Sequence, residues 1–162
     1  KEKKEDETWK EKSNEYPQEN PYKKMTLTAL EVWKSNMIFG NGIKSFRVEC
    51  QKIITEQKRG LCSNHPHNYY MEILTDLGVV GVILTILIAI TFIVFLIKNY
   101  KVLRKNSLHN LFLLAVIISL FLEVFPMKAS GSIFTTNNAT YIILMASIIL
   151  SYKKLLAGRN FK

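Results

Sequence analysis

The chain has 162 residues and a formal net charge of +9, with 48% hydrophobic residues, averages that would suit a soluble domain. They are the mean of a charged first half and an apolar second half, which excludes a uniformly soluble fold, and the polar half alone has little core to bury. The chain is also short for a complete polytopic enzyme. It opens on Lys1, has its first methionine at Met25, and shows no signal-peptide pattern before the polar segment, so it reads as the C-terminal piece of a longer protein.

Residues 1–21 are expected to form a flexible polar segment, because residues 1–19 are mostly Lys, Glu, Asp, Asn, Gln and Ser, and such a stretch cannot offset its ordering entropy. From Tyr22 the pattern changes. Met25, Leu27, Ala29, Leu30, Val32, Trp33 and Met37 recur at roughly helical spacing after Pro21, a favoured first-turn residue, and predict an amphipathic helix. Its apolar stripe either packs on the rest of the protein or lies in a membrane interface with Trp33 at headgroup depth. Phe39-Gly40-Asn41-Gly42 predicts a turn. A second helix is expected over residues 43–58. Phe46, Cys50, Ile53 and Ile54 share one side of it, and Lys44, Arg47, Gln51 and Lys58 form a basic stripe on another.

His65-Pro66-His67-Asn68 then leads into an apolar run. Pro66 disfavours helical geometry at His65, so the spacing predicts a break there and a helix from about Asn68. His67 falls at that helix's N-terminus, where the positive end of the dipole favours a neutral, proton-accepting imidazole. His67-Asn68, nine residues, Gly78, two residues, Gly81 resembles the signature of the O-antigen ligase family, whose superfamily also contains O-antigen polymerases. Gly40, Gly42, Phe46 and Arg47 resemble the Gly-x-Gly and Phe-Arg elements that precede the histidine motif there. Phe125-Pro126, Ser130-Gly131-Ser132 and Phe134 resemble the segment before the family's final helices.

Leu77 to Ile97 is a run of 21 residues without a charge, enough for a bilayer core of roughly 30 Å. Three spans are expected, at about 70–97, 110–125 and 135–152, within a unit of residues 69–162. Lys98, Lys101, Arg104 and Lys105 follow the first span and Lys153, Lys154, Arg159 and Lys162 the last, while the connector between the second and third holds only Lys128. By the positive-inside rule both clusters are cytoplasmic. Residues 1–68 are then outside the cytoplasm, and within them 22–68 form a periplasmic loop carrying two amphipathic helices. Polar residues 133–138 should line the same outer cavity. The Asn138-Ala139-Thr140 sequon is discounted as a chance match.

Chemistry at that outer face needs a base for an acceptor hydroxyl and cations for a departing pyrophosphate. His67 is the candidate base. Arg47, with Lys44 beside it, is the candidate pyrophosphate clamp, an arginine fork suiting phosphate oxygens; by the resemblance only Arg47 carries over. His65 is expected to orient His67 or shape the loop. Asn68, Gly78 and Gly81 complete the motif. Glu72 and Asp76, four apart on one helix face, read as hydrated or bonded to Lys44 or Arg47, with an acid–base pair as the rival reading. Glu123 is a carboxylate inside a span, and such groups face a polar cavity or a partner, which makes it a site-lining candidate, with snorkelling to the surface as the rival reading. Cys50 and Cys62 suggest a disulfide in an oxidising compartment, and the alternatives are free thiols or a zinc site with His65 and His67.

The reading is therefore an all-α polytopic membrane glycosyltransferase. By resemblance it transfers glycan from an undecaprenyl-pyrophosphate carrier to a lipid A-core hydroxyl at the inner membrane, using no metal or other cofactor. Its partners would be that donor, that acceptor and the bilayer, with no nucleic acid. The rivals are an O-antigen polymerase with a growing glycan as acceptor, a protein O-oligosaccharyltransferase, and, in another class, a non-enzymatic membrane protein whose outer loop senses metal or pH.

Overall fold

The computed structural model describes residues 20–57, 60–103, 108–129 and 131–159. The polar N-terminal segment, Lys58, Arg104, Lys105, Ser130 and Lys162 lie outside them. The described chain is all-helical, with five helices and no strand among the described residues. The first, α1 (Pro21–Lys34), starts where Pro21 loses nothing by lacking an N–H, and the Asn20 side chain accepts from Tyr22 N at 3.0 Å as its cap. Met25, Thr28, Ala29 and Val32 make the buried stripe. They meet Phe46 and Cys50 of α2 (Phe46–Gln57) in one core, with Ile53, Cys62 and Met71 packed at its edge. Leu27 and Met37, expected in that stripe, are exposed instead. The Trp33 indole N–H turns back to Met37 O at 3.0 Å.

Residues 43–45 are not helical, contrary to expectation. Lys44 takes a φ of 60° and Ser45 O accepts the first N–H groups of α2, from Val48 at 2.9 Å and Glu49 at 3.1 Å. The basic stripe is correspondingly short, with Lys44 ahead of the helix and Arg47 and Gln51 exposed on it.

The third helix, α3 (Tyr69–Leu103), is broken at Gly78 (φ 65°, ψ −162°) into a short helix over 69–77 and a long apolar one beyond. It is followed by α4 (Leu108–Glu123) and α5 (Thr136–Arg159). Leu113, Val116, Leu120 and Ile149 form a second core between α4 and α5, with Phe92, Phe95 and Leu96 of α3 against it. Buried Asn110 is answered by the Tyr152 hydroxyl at 2.5 Å. Around this small core the apolar side chains face outward, Ile88 at 71% exposure and Ile97 at 69%. Among the described residues one helix, Tyr69–Tyr100, is long and apolar enough to cross a membrane. At 16 residues α4 falls short of the roughly 20 that a perpendicular span needs.

Candidate active site

The site is organised by the break in α3. In a continuous helix Val79 N and Val80 N would donate to Thr75 O and Asp76 O. At Gly78 those two bonds are severed, and each of the four orphaned groups finds a partner in the loop 37–42. Asn41 N donates to Thr75 O and Gly42 N to Asp76 O, both at 2.9 Å, while Val79 N donates to Met37 O at 2.9 Å and Val80 N to Ile38 O at 3.2 Å. The backbones approach so closely that a Cβ on Gly78 would lie 2.3 Å from Ile38 O, and one on Gly40 2.4 Å from Asp76 O. The Gly40-x-Gly42 turn and Gly78 are thus two halves of one interlock. Gly81 has a different reason to be small: its Cβ would meet that of Leu77 at 2.3 Å, where the helix resumes.

The two acidic residues on the short helix complete this interlock. Asp76, fully buried, accepts from Lys44 N at 2.5 Å and Ser45 Oγ at 3.1 Å, which sets a carboxylate at the N-terminus of α2. Glu72, also buried, accepts from Ile133 N at 2.7 Å and so ties the short helix to the turn before α5. The expectation that both are hydrated or paired with side-chain cations is corrected: their hydrogen-bond partners are backbone N–H groups and hydroxyls, and Lys44 contributes its amide.

Asn68 caps the short helix, its Oδ1 accepting from Tyr70 N at 3.0 Å and Met71 N at 3.2 Å. His67 stands immediately before that cap with a φ of 57°, a left-handed conformation that a non-glycine residue adopts at a cost. The half-buried His67 ring has Nε2 3.2 Å from Ser63 Oγ, and the His65 ring lies beside it with centroids 4.4 Å apart. Cys50 and Cys62 are joined in a disulfide with Cα atoms 5.6 Å apart. This bridge ties α2 to the segment that carries Ser63, His65 and His67. It consumes both thiolates that a Cys2His2 zinc site requires, so that alternative has no sulfur ligands. Arg47 is exposed one turn before Cys50 on α2, and Lys44 is exposed at its start. The fold thus connects the candidate base and the candidate cations covalently, without a direct hydrogen bond between them among those described.

Glu123 ends α4 and accepts from the Tyr69 hydroxyl and from Lys128 Nζ, each at 2.6 Å. Beside it Asn68 Nδ2 donates to Pro126 O at 2.7 Å and the Tyr70 hydroxyl to Val124 O at 2.6 Å. Three consecutive residues after His67 therefore clasp the C-terminal end of α4 and the turn after it. Sequence reasoning missed Ser63, Tyr69 and Lys128. A lone carboxylate in an apolar helix demands a partner, and Lys128 is the sole cation of that connector, so one of the three was findable.

These features describe an all-helical protein in which a compact polar loop is locked onto the entry of a membrane-length helix. The model of the O-antigen ligase family matches residues 3–86, just over half of the chain, and the chain belongs to that family. The matched range holds both glycine elements of the interlock, the disulfide and the histidine motif. Membership gives a membrane function of the O-antigen ligase or polymerase type. No curated protein and no solved structure matches the chain.

Proposed function

We propose that this chain carries the catalytic loop and outer helix ends of an inner-membrane glycosyltransferase. It transfers a glycan from undecaprenyl pyrophosphate to a hydroxyl of lipid A-core, with His67 as general base. The observation that carries the reading is the placement of His67: a strained residue at a helix entry, held between the Ser63 hydroxyl and the His65 ring and anchored through the disulfide, in a segment matched to the O-antigen ligase family. In the tautomer that donates from Nε2 to Ser63 Oγ, Nδ1 holds the basic lone pair. As the acceptor oxygen attacks the anomeric carbon, His67 takes its proton and the bond to the pyrophosphate breaks. Arg47 and Lys44 neutralise the charge that leaves.

On this reading the helix break marks the outer bilayer surface, with the long part of α3 in lipid. The exposed apolar tips Met37, Ile38, Phe39 and Ile43 beside the break support that placement. Helices α4 and α5 complete a three-span unit with residues 1–68 periplasmic. A reporter active only in the cytoplasm is then active when fused after Lys105 and silent after Lys128; the reverse pattern would put His67 on the wrong side for this donor.

The function is tested with full-length enzyme in liposomes, assaying donor binding and glycan transfer separately. His67→Ala loses transfer by about a hundred- to ten-thousandfold, the usual contribution of a general base, and still binds donor. Arg47→Ala loses both together, because its fork acts in ground and transition states alike. Wild-type transfer by His67→Ala ends the base assignment. A glycan product elongated on its lipid carrier, with lipid A-core ignored, identifies a polymerase instead.

A further inference from the structure

The C-terminal end of α4 and the N-terminal part of α5 frame an open, shallow cleft of about 470 Å³, lined by Ser119, Leu122, Glu123, Phe125, Lys128 and Tyr141. That size lies within the ~300–1,000 Å³ of small-molecule sites. We propose that it is a sugar-binding subsite, taking a ring of one of the two glycans that the proposed reaction joins. The inference rests on the glycosyltransferase reading.

Its polar groups favour a neutral polyhydroxyl ligand over an anion. Glu123 and Lys128 form an ion pair at 2.6 Å, so their charges offset each other and the cleft offers no net cation for a phosphate. Their remaining valences are open in complementary senses. Each carboxylate oxygen spends one lone pair, on Tyr69 or on Lys128, and keeps another. Lys128 spends one of three N–H donors on Glu123. A pair of neighbouring sugar hydroxyls presents the matching set, one donating to the carboxylate and one accepting from the ammonium. The Ser119 and Tyr141 hydroxyls, bonded to each other, add a second polar contact across the cleft. Leu122, Phe125 and the Tyr141 ring supply apolar surface for the C–H face of a sugar.

The cleft is also connected to the candidate base. Tyr69, which holds Glu123, is two residues from His67, and Asn68 and Tyr70 fix the same strand of backbone at Val124 and Pro126. A ring seated on Glu123 and Lys128 is therefore held by the element that positions His67.

The test uses full-length protein in detergent and two soluble probes: lipid-free core oligosaccharide, and the free repeat-unit oligosaccharide of the donor. Dissociation constants are measured calorimetrically for wild type, Glu123→Gln and Lys128→Met. The subsite predicts that both substitutions weaken one probe by about tenfold and leave the other unchanged; loss of the core probe assigns the cleft to the acceptor, and loss of the repeat unit assigns it to the donor glycan. Lys128→Met removes a half-exposed side chain, so the answer does not depend on how Glu123→Gln folds. Wild-type affinity for both probes in both variants overturns the subsite, even if the enzyme transfers glycan. Tenfold losses in a protein that transfers none would keep the subsite and end the glycosyltransferase reading.

Discussion

Just before Gly78 the molecule buries Glu72, Thr75 and Asp76 and bonds each of them, and beyond Gly78 its longest helix exposes a run of apolar side chains. In the loop half Thr75 and Asp76 are fully buried. The carboxylates of Asp76 and Glu72 and the backbone carbonyl of Thr75 accept from residues dozens of positions away, Lys44, Ile133 and Asn41, while the Thr75 hydroxyl donates locally to Glu72 O at 3.0 Å. In the apolar half most side-chain bonds along α3 are local, as Thr85 to Gly81 O and Thr91 to Leu87 O, each at 2.8 Å. The loop half is thus specified by directed contacts that few other sequences reproduce. The apolar half is specified chiefly by composition, the surrounding solvent doing what a core does elsewhere.

The largest effect should come from substituting the residue where the halves meet. Gly78→Ala sets a Cβ against the carbonyl of Ile38 and the amide of Gly40 at a φ of 65°. With ψ at −162° the position is essentially glycine-only, and strain of about 1–3 kcal/mol then adds to loss of up to four interlock bonds at about 1 kcal/mol each. The total is a destabilisation of up to about 5–7 kcal/mol, read as the denaturation midpoint of purified protein in detergent. A wild-type midpoint would show that the loop does not lock the break.

Next is the disulfide, which acts in the loop half alone. Cys62→Ser removes a constraint worth about 3 kcal/mol in the chain-entropy account of short loops. Amide exchange should quicken across residues 46–68 and stay unchanged across 81–100. Equal acceleration in both would mean that the halves unfold as one unit, and the contrast between them would lose its energetic meaning.

That contrast also decides what can be read from sequence. The all-helical class, the start of α1 at Pro21, and the family were legible, since local residue chemistry sets helix starts and the family's motif lies within one short stretch, His67 to Gly81. The break at Gly78 was not, because residues 77–97 are uniformly apolar and the groups that satisfy the broken turn lie near residue 40. Glu72 and Asp76 were misjudged for the same reason: a carboxylate whose partner is a distant backbone amide looks, in sequence, like one that needs a lysine. The late start of α2 followed from it too, since Asp76 holds Lys44 N in a turn. Of the candidate site, the histidine motif was visible as a pattern and the Tyr69–Glu123 bond was not, because it joins residues over fifty positions apart, whereas Lys128 lies five residues beyond Glu123 and was within reach of sequence reasoning.

The smallest effect belongs on the outward face of α3, and a paired substitution makes it informative. Val32→Ala in the fully buried loop core should cost about 2 kcal/mol, the usual price of a large-to-small change in a packed interior. Ile88→Ala removes more carbon, yet Ile88 is 71% exposed, so no cavity forms. If that face meets lipid, the only loss is the difference in transfer free energy to hydrocarbon, about 0.5 kcal/mol. The two midpoints should therefore rank opposite to the number of atoms deleted. A cost above about 2 kcal/mol at Ile88 would mean that this face packs against protein in the folded state. The exposed apolar half would then be an interface between helices, and its tolerance of substitution would disappear.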